Sequence, residues 1–141
     1  MMTNTREEII ERLADVASAL DNRDWDALGE LFTEAATGYG ATGRESIVDR
    51  VRDHLGGCGP SQHLLGNHRV ECDLDGDPNR ARSRTYGRVF HVGSGDLSGL
   101  TYECFGEYTD LWTRTDLGWR ISSRWFEVSF DRGDARVLRR D

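Results

Sequence analysis

The spacing of apolar residues changes once along this chain, near residue 60, and that change constrains the fold more than any other feature. Before it, Ile9, Ile10, Leu13, Val16, Ala17 and Leu20 recur at helical intervals, with Glu7, Glu11, Arg12 and Asp15 largely on the other side. After it, long stretches alternate at period two and are broken by turn residues. Thr5 and Glu8 match a capping box, so the first helix is expected over residues 5–21. Asp24 is placed to cap a second, short helix running from Trp25 to Phe32. The small, Gly-rich stretch 36–42 reads as a short strand. Ile47, Val48, Val51 and Leu55 form one stripe of a third helix over 44–55, which Gly56, Gly57, Gly59 and Pro60 end. Strands are expected over 62–72, 80–92, 100–114 and 119–130, with 131–141 as a polar tail.

Helices first and antiparallel strands after define an α+β chain. The expected architecture is a cone: a strongly curved antiparallel or mixed β-sheet packed on three N-terminal helices and enclosing a pocket. The chain has 141 residues with no repeat or linker, so residues 1–130 are expected to form a single domain.

Composition removes several chemistries. All 18 basic residues are arginine. Without lysine there is no Schiff-base catalysis, no pyridoxal-phosphate anchor and no P-loop. A formal net charge of −7 speaks against a general nucleic-acid-binding surface. No apolar run approaches the ~18–20 residues of a membrane span, and the N-terminus is charged and amphipathic, unlike a signal peptide. Cys58, Cys72 and Cys104 are odd in number and widely spaced, which fits thiols in a reducing compartment; the expected location is cytoplasmic. HExxH, GxSxG and Walker motifs are absent, and no tight His-x-His pair occurs, so neither a metal nor an organic cofactor is expected.

What remains is carboxylate and imidazole. On an ideal helix Asp21 lies roughly 20° from Ile10 and about 40° from Ala17, so it extends the buried stripe. An acid there is either a capping or structural group, or a carboxylate in an apolar pocket, where burial makes it a better base. Asp24 suits an N-cap. On the strand 62–72, strict alternation puts His63, Leu65 and Asn67 on one face and His68 on the other. His63 then reads either as a satisfied core histidine or as a catalyst. His91 ends the next strand beside a Gly-rich loop. His54 sits late in the third helix, where a cation suits the helix dipole. Trp25, Trp112, Trp119, Trp125, Phe90, Phe105 and Phe126 read as core or as pocket walls.

The segments Ala19-Leu20-Asp21-Asn22-Arg23-Asp24-Trp25-Asp26-Ala27-Leu28, Ser61-Gln62-His63-Leu64-Leu65-Gly66-Asn67 and Gly118-Trp119-Arg120-Ile121-Ser122-Ser123-Arg124 carry a resemblance. In this element order they resemble the SnoaL-like family of the nuclear-transport-factor-2-like superfamily, nearest the scytalone dehydratase and bile acid 7α-dehydratase type. The resemblance implies that Asp21 pairs with His63 across the pocket, fixes its tautomer and leaves the other ring nitrogen as a base. It makes His91 a candidate acid. Leu20 and Val16 stand near Asp21 where related enzymes carry tyrosines, so Tyr39, Tyr86, Tyr102 and Tyr108 become candidates for the missing hydroxyl, with Tyr39 and Tyr108 taken into the substrate-binding set. Leu65, Asn67 and Trp125 complete the candidate substrate-binding set. The implied function is a cofactor-independent lyase that eliminates water from a small apolar cyclic or polyketide-like metabolite. Polyketide cyclisation or double-bond isomerisation by the same base is the alternative within catalysis. A non-catalytic ligand-binding or oligomerisation domain is the alternative outside it, because one fold hosts many activities. A homo-oligomer is expected, with the face of Arg82, Arg84 and Arg88 meeting acidic residues of a neighbouring copy.

Overall fold

Asn4 starts the first helix by accepting the Glu7 amide at 2.8 Å on its side-chain oxygen. Thr5 is therefore the first helical residue and not the cap. Glu8 is drawn away from a capping box because its carboxylate accepts the Trp119 amide at 3.3 Å. The computed structural model describes residues 4–138. Helix α1 spans Thr5–Asp21, α2 Trp25–Glu30 and α3 Arg44–Leu55. The strands are β1 Phe32–Gly38, β2 Ala41–Thr42, β3 Ser61–Glu71, β4 Arg80–Val92, β5 Thr101–Thr115 and β6 Gly118–Gly133. They form one open mixed sheet in the order β2-β1-β6-β5-β4-β3. Strand β1 runs parallel to β6 and every other pair is antiparallel.

The main core lies between the helices and the concave face of the sheet. Ile9, Leu13, Val16 and Leu20 of α1 and Ile47, Val51 and Leu55 of α3 pack against Phe32, Ala81, Trp112, Trp119 and Ile121. The indole of Trp112 is buried with its N–H satisfied by Ser83 Oγ at 2.8 Å. Ile10 and Ala17, counted in the stripe from sequence, are only half-buried.

Three departures from the expected elements matter for the site. First, Leu31 and Phe32 leave α2, and Phe32 opens β1. The expected strand at 36–42 is split by a two-residue hairpin turn at Tyr39–Gly40, with φ of 52° and 76°. Second, β3 slips register against β4 between Gly66 and Arg69, and Asn67 takes a φ of 52°. The slip inverts the alternation, so His68 and Val70 turn to the half-buried side and Asn67 becomes exposed. His68 consequently meets buried Thr85 at 3.2 Å, on the side that strict alternation denied it. Third, β6 runs on to Gly133, and residues Ala135–Leu138 form a 3₁₀ turn with Val137 buried against Val89, Tyr102 and Cys104. The expected polar tail is thus partly strand and partly packed, up to Leu138; residues 139–141 lie outside the described residues. One fully buried valine in a short, arginine-rich stretch carries no period, so the sequence alone did not mark it.

Candidate active site

The last turn of α1 delivers Asp21 to the start of β3. His63 Nδ1 lies 2.7 Å from Asp21 Oδ1. The His63 backbone amide donates to Oδ2 at 2.9 Å, and the Ser61 hydroxyl donates to Oδ1 at 2.9 Å. Burial works upward on the Asp21 carboxyl, but the His63 side chain, the His63 amide and the Ser61 hydroxyl together hold it below the usual carboxylate range. An ionised carboxylate only accepts hydrogen bonds, so Nδ1 must carry the ring proton. In the neutral ring this tautomer leaves the lone pair on Nε2, on a side chain that is 6% exposed and lines a cavity.

Arg23 pins this arrangement from behind. It adopts a φ of 55° where the chain turns out of α1. One guanidinium nitrogen donates to the Leu20 carbonyl at 2.7 Å and to Ser61 Oγ at 2.8 Å. The other donates to the Gly59 carbonyl at 2.7 Å and to Cys58 Sγ at 3.1 Å. Arg23 therefore ties the C-terminal end of α1 to the residues entering β3, which sets the distance between Asp21 and His63.

The cavity has a volume of about 580 Å³. Its inner wall includes buried Leu20, Val89, His91, Tyr102, Cys104, Tyr108 and Arg124. Gly40, Arg50, His54, Trp125 and Val128, all exposed, form its mouth. Of the residues expected there, Asp21 and His63 are in contact and His63, His91, Tyr39, Tyr108 and Trp125 line the cavity. Leu65 and Asn67 do not line it. Leu65 packs against the main core, and the β3 slip carries Asn67 out to solvent.

His91 stands with its ring centroid 6.3 Å from that of His63. Its Nδ1 lies 3.0 Å from the Tyr102 carbonyl oxygen, so Nδ1 carries the proton and Nε2 accepts. Burial pushes its pKa down to about 4 against the opposing Tyr102 carbonyl contact, with a smaller push from the Arg23 guanidinium. The ring is neutral at physiological pH. Burial raises the Tyr102 hydroxyl to about 12, with Asp131 accepting from it at 2.7 Å. Burial likewise raises the Cys104 thiol to about 11, so that thiol is protonated.

The feature that sequence reading missed is Arg124. It is fully buried and pairs with Asp110, Nε to Oδ1 at 2.9 Å and Nη2 to Oδ2 at 3.3 Å. Its remaining terminal nitrogen donates to the Tyr39 hydroxyl at 3.2 Å, and its guanidinium carbon sits 4.1 Å from the Tyr108 ring centre. Burial pushes the Asp110 carboxyl up, and the Arg124 guanidinium, paired with it at two points, opposes that shift. Arg124 closes one of the segments that carry the resemblance, but nothing local marks it as a cavity group. Its cross-strand partnership with Asp110 depends on the β5–β6 register, and β6 bulges just before it. Among the described residues no group of three or more His, Cys, Asp or Glu side chains is arranged to hold a metal ion, and no helix is long and apolar enough to cross a membrane.

Comparison with known proteins agrees with this architecture. The SnoaL-like domain matches residues 1–125. The uncharacterized protein Rv2910c of Mycobacterium tuberculosis H37Rv is 34% identical over 125 residues, covering 84% of this chain and 82% of that one. A scytalone dehydratase-like protein of Novosphingobium aromaticivorans superposes with a TM-score of 0.78 at 19% identity, covering 88% of this chain and 83% of that one. A type 2 hexachlorocyclohexane dehydrochlorinase (LinA) superposes with a TM-score of 0.77 at 16% identity, covering 89% and 85%. At such identities the two structures establish shared architecture alone. With the domain match running over residues 1–125, the chain belongs to the SnoaL-like family.

Proposed function

We propose that this protein is a lyase that removes water from a ring-containing β-hydroxy carbonyl compound, with His63 as general base and Asp21 as its orienting partner. The observation that carries the reading is the 2.7 Å contact between Asp21 and His63 Nδ1, on a histidine that lines an open cavity. His63 Nε2 takes the proton on the carbon beside the carbonyl. The C–H electrons form the enolate, whose negative charge falls on the carbonyl oxygen. Tyr39, polarised by the Arg124 guanidinium, donates a hydrogen bond to that oxygen. The enolate then expels the β-hydroxyl, which takes the proton from the His63 imidazolium on the same face and leaves as water. His91 is neutral, and its Nε2 serves better to accept a substrate hydroxyl proton than to donate one. Every proton and charge in this sequence is handled by a side chain at the cavity.

The test uses 3-hydroxy-1-tetralone, which loses water to give fluorescent 1-naphthol. Wild-type protein should form naphthol, and His63→Ala should slow it about 10²–10⁴-fold. Equal rates for the two proteins would take His63 out of the reaction.

We also propose that the convex sheet face pairs two copies of this chain. Leu64, Tyr86, Phe90 and Phe130 are exposed there, and Phe105 stacks on Phe130 at 4.5 Å. The arginines expected to seek a neighbour's acids are already paired within the sheet: Arg82 with Glu71 at 3.2 Å, Arg84 with Glu107 at 3.3 Å and Arg88 with Glu103 at 2.9 Å. A charge-balanced aromatic surface is self-complementary and does not repel its own copy.

A further inference from the structure

The chain carries 25 acidic residues against 18 basic ones, yet the cavity lining reverses that balance. Two arginines and three histidines line it, Arg50, Arg124, His54, His63 and His91, and no Asp or Glu does. The arginines are not equivalent. Arg124 is compensated by Asp110 at two contacts. Arg50 is exposed at the mouth, and among the described residues it has no ion-pair partner. Its one protein hydrogen bond there is from Nη1 to the Tyr39 carbonyl at 3.2 Å. That bond anchors the guanidinium over the Tyr39–Gly40 turn, whose other polar end, the Tyr39 hydroxyl, is held by Arg124. A fixed, unpaired guanidinium at the edge of an apolar cleft is an anion receptor, because the low-dielectric wall strengthens its field and its remaining N–H groups fit a carboxylate.

We propose that the natural substrate is an anion: a ring-sized apolar body that enters the cavity and a carboxylate that stays at the mouth on Arg50. The inference rests on the cavity being the reacting site and adds the chemical class of its ligand. A neutral ring would leave Arg50 unused. A carboxylate buried farther in would compete with the Tyr39 hydroxyl for the one Arg124 nitrogen that Asp110 leaves open. The mouth position satisfies both guanidinium groups and leaves the ring beside His63.

The experiment compares 2-naphthoate with 2-naphthamide, which share shape and differ in charge, by calorimetric titration at low and high salt. Wild-type protein should bind naphthoate about tenfold more tightly than the amide, and added salt should shrink the difference. Arg50→Gln should bring the two probes within about twofold by weakening naphthoate alone, and Arg50→Lys should keep part of the preference. Unchanged amide binding shows that the variants fold. Equal affinity in the wild type, binding of neither probe, or a preference that survives Arg50→Gln would overturn the proposal. His63→Ala separates this from the catalytic reading. Unchanged turnover in that variant beside an intact naphthoate preference would sink the base and spare the receptor. Lost turnover without any preference would do the reverse.

Discussion

Asp21 acts on His63 through charge as well as position, and the two can be separated. Asp21→Asn keeps the shape but lets the amide donate to Nδ1, which moves the ring proton to Nε2 and removes the base. Turnover should then fall about 10²–10⁴-fold with little change in substrate binding; a fall confined to KM would show that Asp21 only shapes the pocket. His91 predicts a dependence of stability on pH. Its folded pKa of about 4 lies below the ordinary value of 6.5, so the unfolded chain binds the proton more readily. Its contribution is full above about pH 6.5 and is lost as pH falls toward 4, on the order of 3 kcal/mol over that window. Denaturant titrations at pH 7.5 and 5.0 should show wild-type protein losing more stability than His91→Gln. Parallel losses would mean that His91 is freely protonated in the fold.

The strands shape the cavity through close approach. Gly87 of β4 and Gly106 of β5 are direct partners. A Cβ on Gly106 would lie 2.2 Å from the Glu127 carbonyl oxygen, and one on Gly87 would lie 2.6 Å from the Tyr108 ring. The missing side chains let Tyr108 and Phe126 fold over the sheet with ring centres 4.2 Å apart and wall the cavity. Gly106→Ala meets rigid backbone and should cost about 1–3 kcal/mol. Gly87→Ala meets a ring edge and should cost less; an equal cost would show that strand curvature, not the close approach, is what matters. The Asp110–Arg124 pair joins β5 to β6, and Asp110→Asn should destabilise by about 3–5 kcal/mol because it strands a buried guanidinium. Much of this framework was legible in the sequence. Helical and alternating periods placed α1, α3 and the four long strands, and Asp21 and His63 stood out as polar groups on apolar faces. What was not legible depends on register. The slip at Gly66–Arg69 reverses His68 and expels Asn67, and the bulges in β6 decide that Arg124 meets Asp110. Such shifts arise from strand pairing across long sequence separations, which a local pattern does not encode.

Taken whole, the molecule puts its helices on the concave side of the sheet and leaves aromatic residues on the convex side. The proposed pairing of convex faces predicts a solution mass of two chains by light scattering. Phe130→Glu should reduce it to one, since Phe130 is 62% exposed and places the new charge in the middle of the pairing face. A wild-type mass of one chain would remove the interface. The cavity opens on the other side, between α3 and the sheet, so pairing of copies leaves its mouth at Arg50 free. The catalytic proposal needs only one cavity to work, and it is tested most directly by chemical rescue. The rate of 1-naphthol formation from 3-hydroxy-1-tetralone is measured for wild-type protein and for His63→Ala with increasing free imidazole. The truncated protein should be nearly inactive and should regain activity in proportion to the imidazole that fills the vacated space. Full activity without imidazole would show that the proton is taken by some other group.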